Sequence, residues 1–431
     1  MWKLGRSWLI LLALAALLLV VAAACEEEEG EEETPTGTPA ATGSPAAAVT
    51  GTPTAVGEVE GITDTEIILG LSGPLSGTWG AAYAPVIGGV EAYFKYVNAE
   101  EGGACGRDII LKVEDDQYLP AKAVEAAKKL LDRDHVFAII GCIGTAAHSA
   151  VWEDLNERGV PDLWIMSGAH KFGSEPEKYP WSIPLLPDYY VEGTIFGKYI
   201  SENMPGKKVG LLRQNDDWGE DVETGLKNGL DPDKNEVVAV ETYELTAVSI
   251  RSQVTNLKNA GVEVVVSASN PPTSSQLTKE AERLGWHPQI FIDYVNSDPM
   301  MFLYSSPEAM EGVITLQANK LSHWTDDPDV AEHHRIMNEY GDYAGGNFTI
   351  VGEAAAFLTV EALRATCDNL TREGLMDAIY TTFTDYQGAL TLEGITTDLS
   401  PTDHLATEAM RMLRAHDGEW EYFGEIVSFR D

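Results

Sequence analysis

From Ile62 onward the chain alternates short, continuous apolar runs with amphipathic stretches, and this alternation restricts its fold more than any other feature. Glu66-Ile67-Ile68-Leu69-Gly70-Leu71 ends in Ser72-Gly73-Pro74, a strand closed by a turn. Val86, Val90, Phe94 and Val97 then recur at helical spacing. Ile109 to Val113 reads as a second strand, Pro120 opens a helix with Val124, Ala127, Leu130 and Leu131 on one face, and Val136 to Ile140 is a buried strand ending at Gly141. The second half repeats the rhythm, with strands over Val209–Leu212, Val237–Val240, Val262–Val266 and Ile290–Ile292. Ser249 caps a helix carrying Val254 and Leu257 that stops at Gly261, and Pro272 starts another with Leu277, Ala281 and Leu284 inward.

Continuous apolar strands about 25–30 residues apart, each followed by an amphipathic helix, imply right-handed βαβ units in parallel sheets. There are too many units for one compact sheet, and Pro180-Trp181 to Pro187 interrupts the pattern midway. The expected class is therefore α/β, with two doubly wound parallel-sheet lobes. In such sheets ligands bind outside the carboxyl ends of the strands, so the loops after the strands are where function is sought.

Of the 431 residues, 29 are Lys or Arg and 68 are Asp or Glu, a formal charge of -39. Phosphate affinity needs clustered cations, so nucleic acid is excluded as a partner, and adsorption to anionic lipid is excluded on the same ground. The first residues have a targeting character. Lys3 and Arg6 precede an unbroken apolar run of 17 residues from Trp8 to Ala24, and Ala22-Ala23-Ala24 lead into Cys25. This resembles a bacterial lipoprotein start, with residues 1–24 as signal peptide and lipidation at Cys25; an uncleaved membrane anchor is the alternative. Glu26 to Glu33 holds seven glutamates and one glycine, and Thr34 to Val56 is almost wholly Thr, Pro, Gly, Ala and Ser. Residues 25–60 thus read as a disordered tether, spanning roughly 30–35 Å r.m.s. as a flexible coil. Either start places the body, residues 61–431, outside the cytoplasm.

Enzyme signals fail. Gly70 to Gly77 reads G-L-S-G-P-L-S-G, which is no nucleophile elbow, and there is no H-E-x-x-H, Walker loop or G-x-G-x-x-G. His333-His334 cannot share one helix face as a metal pair would, and Asp327-Pro328 caps that segment as a solvated surface helix. No catalytic residue, metal or cofactor is expected. Beyond Cys25 stand Cys105, Cys142 and Cys367, so at most one internal bridge can form. Cys105 precedes a strand and Cys142 follows one, at opposite ends of a sheet, and buried free thiols are the favoured expectation.

From about Ile62 to the C-terminus the chain resembles the type I solute-binding proteins of bacterial ABC importers, in the branched-chain amino-acid-binding group. Four features carry the resemblance: the lipoprotein start, Gly73-Pro74-Leu75-Ser76-Gly77 after the first strand, Ile139-Ile140-Gly141 before a hydroxyl-containing loop, and Asp217-Trp218-Gly219 after the first strand of the second lobe. The resemblance implies two lobes joined by three crossovers, lobe I at about 61–185 and 318–385 and lobe II at about 186–317 and 386–431, closing on a ligand like a hinged clamp. It implies that Thr145 and neighbouring backbone N–H groups hold the ligand carboxylate, assisted by Ser167-Gly168-Ala169, with Ser76 in the first loop. Trp218 closes from the second lobe, and Trp79 and Tyr83 wall the side-chain pocket. For the ligand ammonium, Asp293 and Asp298 flank the expected place with Asn296 between them; if Asn296 fills the role, an amide or urea suits better than an amino acid.

The function so implied is capture of a branched-chain amino acid or related small polar solute by a monomeric lipoprotein. It is held at the outer face of the cytoplasmic membrane, or in the periplasm, for delivery to an ABC permease. A sensory module of the same fold without transport, and a secreted hydrolase, are the alternatives.

Overall fold

The computed structural model describes residues 59–428. The expected signal peptide, Cys25 and the expected tether up to residue 58 lie outside the described residues. Among those described, no helix is long and apolar enough to cross a membrane.

The first sheet is built from β1 (Glu66–Gly73), β2 (Asp108–Asp115), β3 (Ala138–Ile140), β4 (Asp162–Ile165) and β5 (Ser182–Pro184), in the order β2-β1-β3-β4-β5. Every neighbouring pair is parallel. Helices α1 (Gly77–Tyr96), α2 (Pro120–Asp132), α3 (Thr145–Ser149) and α4 (Trp152–Glu157) connect its strands. Ile67, Leu69 and Leu71 on one face of β1 are wholly buried, and Gly70 and Ser72 on the other face are buried too, as a central strand covered on both faces requires.

After a first crossover at Leu185–Asp188 the chain enters a second body. It contains α5 (Tyr189–Asn203), β6 (Lys208–Gln214), α6 (Asp217–Gly229), β7 (Glu236–Tyr243), α7 (Arg251–Asn259), β8 (Val264–Ala268), α8 (Pro271–Arg283), β9 (Gln289–Ile292), the short α9 (Met300–Tyr304) and α10 (Pro307–Met310), and β10 (Ile314–Gln317). A second crossover leads to α11 (Pro328–Tyr340), α12 (Asn347–Ala365) and α13 (Arg372–Thr382), which share the hydrophobic core of the first sheet. A third returns to β11 (Ala409–His416) and β12 (Glu419–Ser428). The second sheet is ordered β12-β11-β10-β9-β8-β6-β7, parallel from β7 to β10 and antiparallel at β10–β11 and β11–β12.

Two parallel-sheet α/β lobes are thus present, and the antiparallel hairpin β11–β12 at one edge is an addition that periodicity did not predict. Asp417 and Gly418 both have positive φ in its two-residue turn, the conformation a tight hairpin needs. Helix α12 reaches the first lobe because glycines admit it. A Cβ on Gly89 would sit 2.3 Å from Thr349 O, and one on Gly352 would sit 1.9 Å from Val86 O, so α1 and α12 touch backbone to backbone.

Two expectations are corrected. His333 is not on a solvated face: it is fully buried, with Nδ1 2.7 Å from Glu353 Oε2 and Nε2 2.9 Å from Thr349 Oγ1. Asp327 does cap α11, accepting from the N–H groups of Asp329 and Val330, but the helix turns His333 inward against α12. The cysteines are not all free either. Cys105 and Cys367 form a disulfide, and only Cys142 remains a buried thiol. The bridge ties the loop before β2 to the end of α12, two places brought together only by the return of the chain to the first lobe.

Candidate functional site

The carboxyl ends of β1, β3 and β4 face those of β6 and β9 across a cleft, and three crossovers and α12 close its back. The lobes meet around this cleft. Lys171 Nζ, after β4, lies 2.7 Å from Asp217 of α6; the His170 N–H donates to Asp221 Oδ2 at 2.9 Å. His170 Nδ1 is 2.5 Å from Oδ2 of Asp188, the residue that caps α5. On the opposite side, the Phe348 N–H at the start of α12 donates to Asp298 at 2.9 Å.

Between the lobes lies a cavity in which about 110 Å³ is open to the centre of a water molecule. Its walls are mostly aromatic and aliphatic, among them Tyr83, Tyr118, Tyr189, Trp218, Tyr294 and Phe348. Tyr83 stacks on Tyr118 at 5.7 Å between ring centroids and meets Phe348 at 5.9 Å. From the second lobe, Tyr189 stacks on Tyr294 at 5.4 Å and contacts Trp218 at 5.4 Å. Such pairs contribute about 0.5–1.5 kcal/mol each beyond the area they bury and hold the rings at low entropic cost.

Polar groups on this wall are few. Lysine, arginine and histidine are absent from the described lining. The Tyr294 hydroxyl donates to Pro187 O at 2.7 Å. The hydroxyls of Tyr83 and Tyr118 have no protein partner among the described residues. Burial pushes both phenols up from their ordinary range, so they remain O–H donors at neutral pH. Tyr118 is held over the cleft by an unusual loop. Gln117 and Tyr118 both have positive φ, 54° and 63°, and the carboxylates of Asp115 and Asp116 accept their N–H groups at 3.1 and 2.8 Å. A bulky residue at positive φ is an outlier, and such strain collects at ligand sites.

Of the residues the resemblance put forward, Tyr83 and Trp218 stand on the cavity wall. Trp79 is buried with its ring 6.1 Å from that of Tyr118, one layer behind. Ser76 is exposed, and its N–H donates to Asp115. Thr145 and Ser167 are buried and bonded to each other, Oγ1 to Oγ at 2.7 Å. Tyr118 covers this loop: a Cβ on Gly144, where φ is +102°, would fall 2.2 Å from its ring. Gly168 accepts from the Tyr189 N–H at 2.8 Å, and Ala169 is buried, its own N–H donating to Ser167 Oγ at 3.2 Å.

The acidic candidates are also set back. Asp293 is buried and accepts the Trp218 Nε1–H at 2.6 Å and the Val295 N–H at 3.0 Å. Asn296 spends its amide on Ser269 O and Asp293 O, at 2.8 and 2.9 Å. Asp298 caps the segment before α9, accepting the Met300 N–H, as well as holding Phe348. Behind Asp293 lies Glu192, fully buried, its Oε1 accepting the Tyr294 N–H at 2.8 Å. Burial and the neighbouring Asp293 push the Glu192 carboxyl well up, and burial pushes Asp293 up as well. Two carboxyls this close cannot both ionise in an apolar setting, so Glu192 keeps a proton.

Sequence reasoning missed Tyr118, Tyr189, Tyr294 and all of α12. Tyr118 carried a faint signal, since it follows the two acids that end a strand on the ligand side. Phe348 and its helix carried none, because their place at the cleft depends on the second crossover. The one described group with metal-ligand chemistry, Glu311, His416 and Asp417, is exposed and does not line the cavity.

Residues 66–419 match the family model described as periplasmic binding protein, and the chain belongs to that family of extracytoplasmic solute-binding proteins. An amino acid binding protein of Pseudomonas aeruginosa is 22% identical over 264 residues, which are 60% of this chain and 70% of that one. The chain spans only 53–58% of the length of the Brucella Leu/Ile/Val-binding protein homologues it matches. Among solved structures, a fatty acid ABC transporter substrate-binding protein from Thermomonospora curvata superposes with a TM-score of 0.76 at 21% identity, covering 87% of this chain and 96% of that one. A branched chain amino acid ABC transporter protein from Thermus thermophilus with bound valine gives 0.73 at 21%, covering 85% and 97%. At these identities the likeness establishes the fold.

Proposed function

We propose that this protein is the solute-capturing component of an ABC importer, that it is not an enzyme, and that its ligand has an apolar body and a hydrogen-bond-accepting head. The lobes close over the ligand, and binding energy shifts an open–closed equilibrium toward the state a permease recognises. The observation that carries the reading is the aromatic cavity with two partnerless phenol O–H groups and no lysine, arginine or histidine among its described lining. Such a wall suits a carboxylate or carbonyl head held by Tyr83 and Tyr118, with the ligand body against Trp218, Tyr189 and Phe348. Lipidation of Cys25, a tether over residues 25–60 and a monomeric state belong to the same reading.

A branched-chain amino acid is the second reading, favoured by the relatives that bind one. It needs a partner for the ammonium group, and Asp293 becomes available only if Trp218 swings away from it.

A thermal-shift screen of the purified protein against amino acids, short amides, urea and aliphatic and aromatic monocarboxylates tests both readings. A ligand at 1,000 times its dissociation constant stabilises the fold by about 4 kcal/mol. Shifts confined to monocarboxylates support the first reading, shifts confined to Leu, Ile or Val support the second, and no shift with any of them refutes solute capture of this kind. Uptake of the hit by cells with and without the protein separates transport from sensing.

A further inference from the structure

We infer that the cavity continues past the cleft into an arm beside the hinge that takes an extended apolar tail, and that Val351 and Ala354 set how far a tail enters. The inference rests on the solute-binding reading and adds the shape of the ligand. Phe348, Val351, Ala354 and Leu358 all line the cavity, and their steps of three or four residues put them on one side of α12. From Phe348 to Leu358 the helix axis advances about 15 Å at ~1.5 Å per residue. The two ends are identified by their neighbours. The ring of Phe348 meets Tyr83 in the cleft, whereas that of Phe357, one residue before Leu358, lies 6.3 Å from Tyr386 on the third crossover.

Opposite α12, the arm is bounded by all three crossovers, through Leu185, Ala318 and Leu390. Several of its polar groups are already engaged, while the side chains of Asn319, Thr391 and Thr397 stand on the same lining toward the second and third crossovers. The Gln317 amide donates to Ser297 Oγ at 2.7 Å and accepts from the Ala318 N–H at 2.8 Å, and the Thr407 hydroxyl donates to Leu185 O at 2.8 Å. Glu353, the one carboxylate among the described lining residues, is bonded through Oε2 to His333. The arm therefore offers apolar contact mainly along the α12 side, through Phe348, Val351, Ala354 and Leu358, and the free phenols lie at its cleft end. That is the arrangement for an amphiphile with an acceptor head and an unbranched tail, such as a straight-chain monocarboxylate. At roughly 1.3 Å per carbon in a chain of ~1.5 Å bonds, the arm matches about ten to twelve carbons.

The test is calorimetric titration of the purified protein with straight-chain monocarboxylates from butyrate to tetradecanoate, and with valine. In the native protein affinity rises about fourfold per added carbon, the ~0.8 kcal/mol of a buried CH2, and levels off near the length of the arm. Ala354→Phe, about 9 Å along the axis from Phe348, leaves hexanoate binding unchanged and weakens decanoate by about tenfold or more, as an overfilled wall does. Val351→Phe, one turn nearer the cleft, cuts the series off at a shorter length. Because the two variants are read separately, loss of folding in one leaves the other as the test. Affinity independent of chain length, or equal weakening of hexanoate and decanoate by Ala354→Phe, overturns the arm while hexanoate or valine binding still upholds solute capture. No binding by any ligand of the series and of the wider screen overturns both.

Discussion

Removing the Cys105–Cys367 bridge is a perturbation whose size follows from the chain's topology. The two cysteines are 262 residues apart, so the bond closes a loop that contains most of both lobes. In the chain-entropy treatment a loop of that length removes about 19 cal/mol/K from the unfolded ensemble, or about 5.6 kcal/mol at 25 °C. At ~2.1 cal/mol/K of unfolding entropy per residue, the 370 described residues unfold with about 0.8 kcal/mol/K, so the paired substitution Cys105→Ala with Cys367→Ala lowers the melting temperature by about 7 °C. Scanning calorimetry measures this directly. Because both cysteines belong to the first lobe, away from the cleft, ligand affinity at 25 °C stays unchanged. Reducing agent lowers the native melting temperature by the same amount and leaves the double variant alone; Cys142→Ala, at the free thiol among the described residues, does not reproduce the response. A double variant melting within about 1 °C of the native protein would refute the loop-entropy reasoning, and a large loss of ligand affinity would refute the separation of bridge and site.

Three further outcomes follow from the cleft. Gly144→Ala places a Cβ 2.2 Å from the ring of Tyr118 at a backbone φ of +102°, so the ring is displaced and ligand affinity falls about tenfold or more by titration calorimetry; unchanged affinity counts against a binding role for Tyr118. His170 titrates above its ordinary range because Asp188 bonds its imidazolium, with Asp221 adding to the field. A raised histidine gives stability that is full below its unfolded value of about 6.5 and is lost as pH rises through the raised folded value. Melting temperature therefore falls over that window, and His170→Gln flattens the profile; an unaltered profile removes the His170–Asp188 contact as its source. Glu192, by contrast, is a carboxyl raised by burial, so the folded state holds a proton that the unfolded state releases near ~4.3. Stability then declines as pH rises above that value, and Glu192→Gln raises the urea midpoint at pH 8 while leaving it nearly unchanged at pH 4; a lower midpoint at pH 8 sinks the protonated-pair reading.

The parts of the fold that were legible in the sequence are those set by local periodicity. Buried parallel strands read as unbroken apolar runs, and β1, β2, β6, β7, β8 and β9 fall within a few residues of where those runs lie. The misses share a cause. Strand β4 opens on the buried Asp162 and β10 carries Thr315 and Gln317, so neither shows the unbroken apolar run that marked β9, and β11, set between β10 and β12, interleaves arginines with its apolar residues. Helix α12 is apolar over much of its circumference because it is covered by α1 on one side and borders the cavity on another, so no amphipathic stripe marks it. Likewise, His333 reads as a surface residue on α11 alone, and its burial comes from Thr349 and Glu353 on the next helix. The disulfide was opaque because its partners meet only after two crossovers.

Of the residues the resemblance put forward, the aromatic Tyr83 and Trp218 line the cavity and the polar ones do not, and one residue accounts for much of the difference. The loop around Thr145 has the glycines and hydroxyl of a carboxylate site, but Tyr118 lies against Gly144, and Thr145 is left bonded to Ser167 instead of facing the cavity. Trp218 takes the N–H acceptor that Asp293 offers, which leaves that acid no free face toward the cleft. In both places an aromatic ring covers or engages a polar group that the resemblance put forward, and the two act on opposite lobes. A cleft lined in this way on both sides is the basis for the proposed ligand, one whose binding comes mainly from desolvated apolar surface with hydrogen bonds confined to its head. Tyr83→Phe and Tyr118→Phe keep the stacked rings while deleting the free donors, so they separate the two contributions. Loss of head-group selectivity with the chain-length dependence intact is the result expected of this division, and loss of both together would show that the phenols hold the wall rather than the ligand.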